Sequence, residues 1–253
     1  MQPYQALFTG KNVIFIPETH STNTIAMELI SKTSPPEGTC IKTDFQTAGK
    51  GQIGRSWHSE AKKNILASFI FYPKQLRVID HFYLNMAVSL AMTGTLATLD
   101  IPVKIKWPND IYYMDKKMTG ILIQNTVMGS CIKASVAGIG LNVNQQTFPP
   151  ELPNPVSMAQ ITGNIYDRDT VSGILCDHLE YYYTMLNAKK YTYLSKLYHN
   201  HLYKLHQKAQ YQEPGQLPYY GYIRGTDPQG RLLIENETGI TKSYTFKEVS
   251  YIL

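Results

Sequence analysis

The sequence predicts an α+β fold, with a mixed or antiparallel central sheet, flanking helices and a small all-β domain at the C-terminus. Short runs of β-branched and aromatic residues end at Gly or Pro, as strands do. Longer stretches repeat their apolar residues at helical spacing. The composition changes at 207–217, and only short strand-like runs follow. We therefore expect a large domain at 1–206 and a small β domain at 207–253.

The first half of the large domain alternates between strands and helices. A run ended by Pro17 predicts the first strand, and the polar residues from His20 to Thr24 supply N-cap chemistry for the first helix. A mostly apolar run ended by Pro73 predicts a buried strand. The elements expected here are strands at 12–17, 39–45 and 64–72, a helix through about residue 32, and a long helix at 81–99.

The second half begins with a hairpin pattern and ends in two helices. Pro108 closes one strand, and a turn at 115–117 joins the next two. Residues 146–166 are rich in Pro, Asn and Thr, which predicts an irregular connection. The elements expected are strands at 103–107, 111–114, 118–126 and 132–143, helices from Asp167 or Asp169 to about 186 and from 191 to about 205, and small-domain strands at 219–224, 231–235 and 242–246.

The composition excludes several classes of protein. The net charge is +5, from 24 Lys+Arg against 19 Asp+Glu, without the dense basic stripe of a nucleic-acid binder. Three separated cysteines form neither a disulfide framework nor a zinc motif. No export signal and no apolar run of membrane-spanning length is present. We expect a cytoplasmic protein that binds neither nucleic acid nor membranes and prefers anionic small molecules or an acidic protein partner.

The segment from Gln46 to Trp57, which we call the glycine loop, is the strongest local signal. Three glycines lie among the cations Lys50 and Arg55, and the run ends in an indole. Glycines let backbone N–H groups approach an anion, and fixed cations neutralise it. The spacing matches neither the P-loop nor the dinucleotide-binding motif. Such a loop suits a nucleotide phosphate or an acyl phosphate, although a solvated connection is the common alternative.

Two polar clusters strengthen the functional interpretation. Asn109 and Asp110 follow a predicted strand end, where ligands commonly bind and where oxygen ligands suit Mg²⁺. An Asx-turn is the structural alternative. Lys117 begins another strand, where a solvated lysine is the ordinary alternative, and Asn142 follows a strand whose glycines permit close approach or a β-bulge.

The order of these motifs resembles the biotin protein ligases. The resemblance runs from about Ser21 to Asn144 through Ser-Thr-Asn, the glycine loop, Lys-Trp-Pro-Asn-Asp, Lys-x-x-Gly-Ile-Leu and Gly-Ile-Gly-Leu-Asn. It resumes in the tail from Ile223. It implies a class II synthetase-like catalytic domain and an SH3-like C-terminal barrel. It also implies a ligase that forms biotinyl-5′-AMP from biotin and Mg-ATP and transfers biotin to a lysine of a biotin carboxyl carrier protein.

The resemblance also implies roles for individual residues. Lys117, Arg55 and Lys50 would be catalytic, and Asp110 and Asn109 would hold the metal. ATP would be bound by Gly51, Gln52, Arg55, Trp57, Asn109, Lys117 and Asn142. Biotin would be bound by Ser21, Thr22, Asn23, Gln46, Gly49, Lys50, Gly51, Lys117, Gly120 and Gly138.

The sequence departs from the family pattern in two places. Many relatives carry Gly-Arg-Gly-Arg in the loop, whereas this chain has Lys50 and Gln52, so retention of the adenylate is in question. Only about eleven residues precede the first strand, which predicts no N-terminal DNA-binding module. Two alternatives remain: a lipoate ligase or octanoyl transferase of the same fold, and a non-catalytic biotin-binding regulator. The sequence leaves open whether the protein forms a homodimer.

Overall fold

A seven-stranded mixed sheet forms the centre of the computed structural model, which describes residues 5–52 and 54–252. The spatial order of its strands is first, second, third, seventh, sixth, fifth, fourth. The first two strands pair in parallel, and the other described neighbours pair antiparallel. In chain order the strands are β1 Val13–Thr19, β2 Cys40–Gln46, β3 Ile65–Phe71, β4 Lys104–Lys106, β5 Asp110–Tyr113, β6 Lys116–Met128 and β7 Cys131–Leu141.

Helices cover the two faces of this sheet unequally. Strand β3 is buried along its whole length because both of its faces are covered, and alternate side chains enter different cores. Phe69 belongs to the large core, whereas Ile70 packs with Ala26 in a small core beneath the first helix. The helices are α1 Thr22–Lys32, α2 Phe82–Thr98, α3 Met158–Thr162, α4 Arg168–Asn187 and α5 Tyr191–His201.

The uneven cover leaves room for a site. Helix α1 packs mainly on β2, β3 and β7, while α2 packs on α4 and α5 in the large core of the opposite face. The α1 face is therefore open where it extends across β6, β5 and β4. On that face the cross-strand pairs Ser68–Gly138 and Gly120–Gly140 bring polar or very small residues together.

A second, antiparallel sheet forms the small C-terminal part. Its strands are β8 Lys208–Gln212, β9 Tyr219–Thr226, β10 Leu232–Asn236, β11 Thr241–Tyr244 and β12 Ser250–Ile252, in the order β11-β10-β9-β8-β12. The Trp107 indole N–H donates to the carbonyl of Gly230 at 2.8 Å, and His199 of α5 accepts the N–H of Thr226 at 3.1 Å. These bonds attach the small sheet to the large one.

The predicted fold class is confirmed, and four elements differ from the prediction. Strand β8 lies inside the segment predicted as a linker, because Ala209 and Tyr211 alternate into the core and pair with β9. Helix α3 lies in the segment predicted as irregular, where Ser157 and Gln160 form a capping box. Strand β12 was not predicted, and α5 ends at His201 rather than near 205. The domain boundary after residue 206 stays a prediction.

None of the helices in the described part of the chain is long and apolar enough to cross a membrane.

Candidate active site

A cavity of about 1000 Å³ lies on the open part of the α1 face. Its floor comes from β4 to β7, one end is the start of α1, and the glycine loop and residues 246–251 of the small domain form its sides. Most of the residues implicated by the motifs line it: Ser21, Thr22, Asn23, Gln46, Lys50, Gly51, Gln52, Arg55, Trp57, Asp110, Lys117, Gly120 and Gly138. A cavity of this size accommodates a drug-sized ligand or a larger one.

One end of the cavity is polar and uncharged. The Thr22 backbone N–H and hydroxyl donate to Gln46 Oε1 at 2.8 and 3.1 Å, and Ser68 Oγ lies 2.7 Å from the Thr22 hydroxyl. These bonds fix Gln46 Oε1, so its Nε2 remains to donate to a ligand. Ser21 is the N-cap residue that precedes α1, yet its hydroxyl makes no capping hydrogen bond. This end therefore presents neutral donors and acceptors.

Asn23 has a structural function at the same end. Its Nδ2 donates to the Leu122 carbonyl and to Gln124 Oε1 at 3.2 and 3.0 Å, and Ser68 Oγ lies 2.6 Å from its Oδ1. A Cβ on Gly138 would lie 2.0 Å from that Oδ1, so only glycine leaves room for the Asn23 side chain. Asn23 thus connects α1 to β6 and shapes the cavity.

The opposite end carries the charged groups. Lys117 Nζ lies 2.8 Å from Asp110 Oδ1, and both side chains are about a quarter exposed. The Lys117 backbone is fixed because its N–H donates to the Asn154 carbonyl at 2.7 Å and its carbonyl accepts the Val156 N–H at 2.9 Å. The ammonium is therefore held at a defined position in the cavity wall.

The glycine loop is folded as a hairpin over the cavity. The Gly51 N–H donates to the Arg55 carbonyl, and the Trp57 N–H donates to the Gly49 carbonyl, both at 2.9 Å. Gly54 has φ of +78°, the left-handed conformation that glycine favours. Residue 53 lies outside the described residues. This pairing places Lys50 and Arg55 on the cavity wall.

The indole ring of Trp57 packs against Gly120 and Gly140 of the central sheet. A Cβ on Gly140 or Gly120 would lie 2.4 or 2.7 Å from its indole ring. The indole Nε1 is buried and has no partner among the described residues. Trp57 also borders a second cavity of about 510 Å³ on the other side of the loop, together with Phe148. The indole thus separates two cavities and offers an aromatic face to a ligand.

Of the residues that the sequence assigns to the nucleotide, Gln52 lines the main cavity, whereas Asn109 and Asn142 do not. Gln52 lines it and donates through Nε2 to Asn109 Oδ1, so the loop is tied to the segment before β5. Asn109 itself is almost buried and donates to the Ile121 carbonyl at 3.0 Å. Asn142 lies behind the wall, donates to the Val156 carbonyl at 3.2 Å, and leaves its Oδ1 without a described partner.

Sequence reasoning missed several residues of the site. Ser68 and Gln124 are brought to it only by strand register, and residues 246–251 only by the docking of the small domain. Lys106 stands within Lys-Trp-Pro-Asn-Asp and was given no function. It lines the cavity, and burial lowers the pKa of its ammonium to about 8 although Asp110 opposes the shift.

The donor set suits a metal that arrives with its ligand rather than a preformed metal centre. Among the described residues no group of three His, Cys, Asp or Glu side chains could hold an ion. Asp110 offers a carboxylate on the cavity wall, already balanced by Lys117. Mg²⁺ is often bound by one or two carboxylates together with substrate phosphates, and this arrangement fits that pattern.

The chain is similar to known proteins in both sequence and fold. The model of the biotin/lipoate A/B protein ligase family matches residues 15–142. The bifunctional ligase/repressor of Bacillus spizizenii is 33% identical over 242 residues, which cover 93% of this chain and 73% of that protein. The biotin–[acetyl-CoA-carboxylase] ligase of Mycobacterium tuberculosis is 28% identical over 226 residues, covering 87% and 82%. The biotin protein ligase from Aquifex aeolicus, solved in complex with biotin and ATP, matches with a TM-score of 0.79 and 26% identity over 96% of this chain and 99% of that one.

Proposed function

The chain belongs to the biotin/lipoate A/B protein ligase family, and we propose that it is an ATP-dependent biotin–protein ligase. It activates biotin as biotinyl-5′-AMP and transfers the biotinyl group to a lysine of a biotin carboxyl carrier protein. The observation that carries this proposal is the polarity of the main cavity, which is neutral at the Gln46 end and cationic at the Lys117 end. Biotin has the same polarity, with a neutral ureido ring and a carboxylate.

The neutral end holds the biotin head group in this proposal. The Ser21 hydroxyl and the Gln46 amide face the ureido group, and Thr22 and Asn23 keep them in place. Gly138 and Gly120 let the ligand lie close to the sheet, while Gly49 and Gly51 allow the loop to fold over it. The carboxylate then points toward Lys117.

Activation needs charge neutralisation more than acid–base chemistry. A carboxylate oxygen of biotin attacks the α-phosphorus of ATP, and the bond from that phosphorus to the bridging oxygen breaks. Pyrophosphate leaves with the electron pair, so no proton has to move. Lys117, Lys50 and Arg55 reduce the repulsion between the two anions and stabilise the charge that develops on phosphorus. Holding both substrates in one cavity also lowers the activation free energy, because the reacting groups are already close together and oriented.

The nucleotide side uses the remaining residues. Trp57 offers its aromatic face to adenine, and Gln52 and Asn109 hold the loop closed beside it. Asn142 supports this region from behind the wall. Mg²⁺ would arrive with ATP and be held by Asp110 and by its neighbour Asn109, and the ion would supply charge compensation for the phosphates.

Transfer completes the reaction. The amine of the carrier lysine attacks the mixed anhydride, an amide bond forms, and AMP leaves with the electron pair. The amine gives up its proton to solvent. The carrier domain of a biotin-dependent carboxylase is the partner in this proposal, the cytoplasm is its compartment, and a homodimer would be compatible with it.

The test follows the two half-reactions separately. Biotin should stimulate exchange of labelled pyrophosphate into ATP in the presence of Mg²⁺. Incubation with biotin, ATP and a carrier domain should add one biotinyl group, measured by intact mass, and a carrier lacking the acceptor lysine should gain none. Selective stimulation by lipoate, or biotin binding without exchange, would contradict the proposal.

A further inference from the structure

Lys106 is a cation of the cavity wall that has no carboxylate partner among the described residues. Its Nζ donates to the Tyr112 hydroxyl at 3.2 Å and lies 4.8 Å from the ring centroids of both Tyr112 and Tyr251. Aromatic faces stabilise a cation less than a carboxylate does, so the ammonium is only partly compensated. This arrangement leaves Lys106 able to bind an anionic ligand.

The surroundings of Lys106 carry excess positive charge. Lys117 and Arg55 are close enough to act electrostatically on Lys106, and Asp110 is the carboxylate that opposes them. Asp110 is already paired with Lys117 at 2.8 Å. Fixed cations in excess within a partly closed cavity favour a ligand with several negative charges.

The position of Lys106 in the sheet shows which part of the ligand it meets. The sheet order β7-β6-β5-β4 places Gly138 on β7, Lys117 on β6 and Lys106 on β4. Neighbouring strands lie about 4.8 Å apart, so β4 is about 10 Å beyond β6 on the side away from biotin. If the α-phosphate lies at Lys117, the β- and γ-phosphates extend toward β4.

We propose that Lys106 binds the pyrophosphate part of ATP, and that Tyr251 of the small domain positions Lys106 for this contact. The proposal rests on the function proposed above. As the bond between the α-phosphorus and the bridging oxygen breaks, the electron pair stays on the leaving pyrophosphate. Lys106 stabilises that charge in place, and no proton is transferred.

Tyr251 links this contact to the small domain. It belongs to β12, lines the cavity, and has a buried hydroxyl without a described partner. Its ring and that of Tyr112 both lie beside the ammonium, one from each domain. Docking of the small domain therefore completes the pyrophosphate subsite but leaves the biotin end unchanged.

Measuring the two half-reactions separately distinguishes pyrophosphate binding by Lys106 from a general structural role of this residue. Lys106→Met should raise KM for ATP and for pyrophosphate about tenfold or more in biotin-dependent exchange, because a charge-assisted hydrogen bond is lost. Lys106→Arg should restore most of the loss. Transfer from added biotinyl-5′-AMP to the carrier domain involves no pyrophosphate, so Lys106→Met should perform it at near the wild-type rate.

Lys104→Met is the matched control. Lys104 lies two residues earlier on the same strand, donates to the Asn200 carbonyl at 3.1 Å, and lies outside the cavity, so its loss should leave both half-reactions unchanged. Tyr251→Leu should raise KM for ATP in the same direction as Lys106→Met, and Tyr251→Phe, which keeps the ring, should rescue it.

Three results would overturn the inference. These are unchanged KM values in Lys106→Met, equal losses in exchange and in transfer, or equal effects of Tyr251→Leu and Tyr251→Phe. Thermal melting and biotin calorimetry establish that each variant is folded. If Lys106→Met does not fold, the KM values of Lys106→Arg are compared with those of the wild type instead. A wild-type protein that performs neither half-reaction would refute the proposed function instead.

Discussion

The ion pair between Lys117 and Asp110 determines the charge at the centre of the proposed reaction. In the proposed function Lys117 lies where the biotin carboxylate and the α-phosphate meet, and its ammonium is paired with Asp110 at 2.8 Å. Lys117→Ala removes a cation that is needed most when charge develops on phosphorus. We therefore expect biotin-dependent pyrophosphate exchange to fall about 10²- to 10³-fold, with biotin affinity changed only slightly.

Exchange assays and biotin calorimetry on Lys117→Ala measure these two quantities. Lys133→Ala, on the exposed part of β7, is the control and should behave as wild type. Exchange close to the wild-type level in Lys117→Ala would remove Lys117 from the mechanism.

Gln52 is a loop residue at which we expect a departure from the family pattern, and its partner is Asn109. Its hydrogen bond holds the hairpin against the segment before β5. Gln52→Ala should loosen the loop and speed the escape of biotinyl-5′-AMP about two- to tenfold, the range of one net hydrogen bond. Gln52→Arg should slow it.

Chromatography of free biotinyl-5′-AMP, sampled in the absence of a carrier protein, gives the escape rate. A rate unaffected by either substitution would show that the hydrogen bond between Gln52 and Asn109 does not retain the adenylate.

Residues within contiguous motifs could be predicted from the sequence, and residues brought together by register could not. Ser21, Gln46 and Lys117 stand in recognisable motifs, and the structure brings all three to one cavity. Ser68 and Gln124 are ordinary strand residues in sequence, and only their pairing and their contacts with Asn23 give them a function. The sequence contains no local signal for such contacts.

At the scale of elements, helix α4 holds the irregular segment that precedes β1. Glu180 is fully buried and accepts the N–H groups of Leu7, Phe8 and Thr9 at 2.7 to 2.9 Å. Glu180→Gln keeps the size of the side chain but replaces one acceptor oxygen by a donor. We expect a loss of about 1–3 kcal/mol in the free energy of unfolding, since buried N–H groups lose their partner.

Urea unfolding measures that loss. Glu28→Gln, on the exposed side of α1, should leave the unfolding midpoint unchanged. If Glu180→Gln unfolds at the wild-type urea concentration, the carboxylate does not contribute to stability.

Elements with strong periodicity or clear stop residues were predicted well, and weakly patterned ones were not. Helix α2 and strand β3 have long apolar patterns, and the structure places them within one or two residues of the prediction. In β8, polar residues alternate with the buried Ala209 and Tyr211, and β12 spans only Ser250–Ile252. Both become strands because β8 pairs with β9 and β12 pairs with β8, which is a tertiary effect.

At the scale of the whole molecule, the two sheets meet around the segment that carries Trp107 and Pro108. The Pro108 carbonyl accepts hydrogen bonds from Asn85 at 2.9 Å and from Tyr198 at 2.7 Å, while Trp107 donates to Gly230 of the small sheet. The same segment therefore positions Asp110 in the cavity and docks the small domain. The small domain is thus connected through this segment to the end of the cavity that we propose for the nucleotide.

We expect His199 to make the docking of the small domain sensitive to pH. Its Nε2 accepts the Thr226 N–H at 3.1 Å and lies 2.9 Å from the Thr226 hydroxyl, and burial lowers the pKa of His199. A protonated Nε2 could no longer accept that N–H. The unfolded state, with a pKa of about 6.5, binds the proton more readily than the folded state. The contribution of neutral His199 is thus complete above pH 6.5 and is lost as the pH falls through its lower folded pKa.

We therefore expect wild-type stability to decrease below pH 6.5 and His199→Gln to decrease less, because glutamine does not titrate. Urea unfolding at a series of pH values between 5 and 8 measures the slopes. Burial also lowers the pKa of His178 on α4, so this residue contributes to the pH dependence of stability as well. The variant His178→Gln measures that contribution, which is then distinguished from the contribution of the domain contact at His199. The fluorescence of Trp107, recorded in a Trp57→Phe background, should report the same transition at the contact with Gly230. Parallel pH slopes for wild type and His199→Gln would show that this histidine does not control docking.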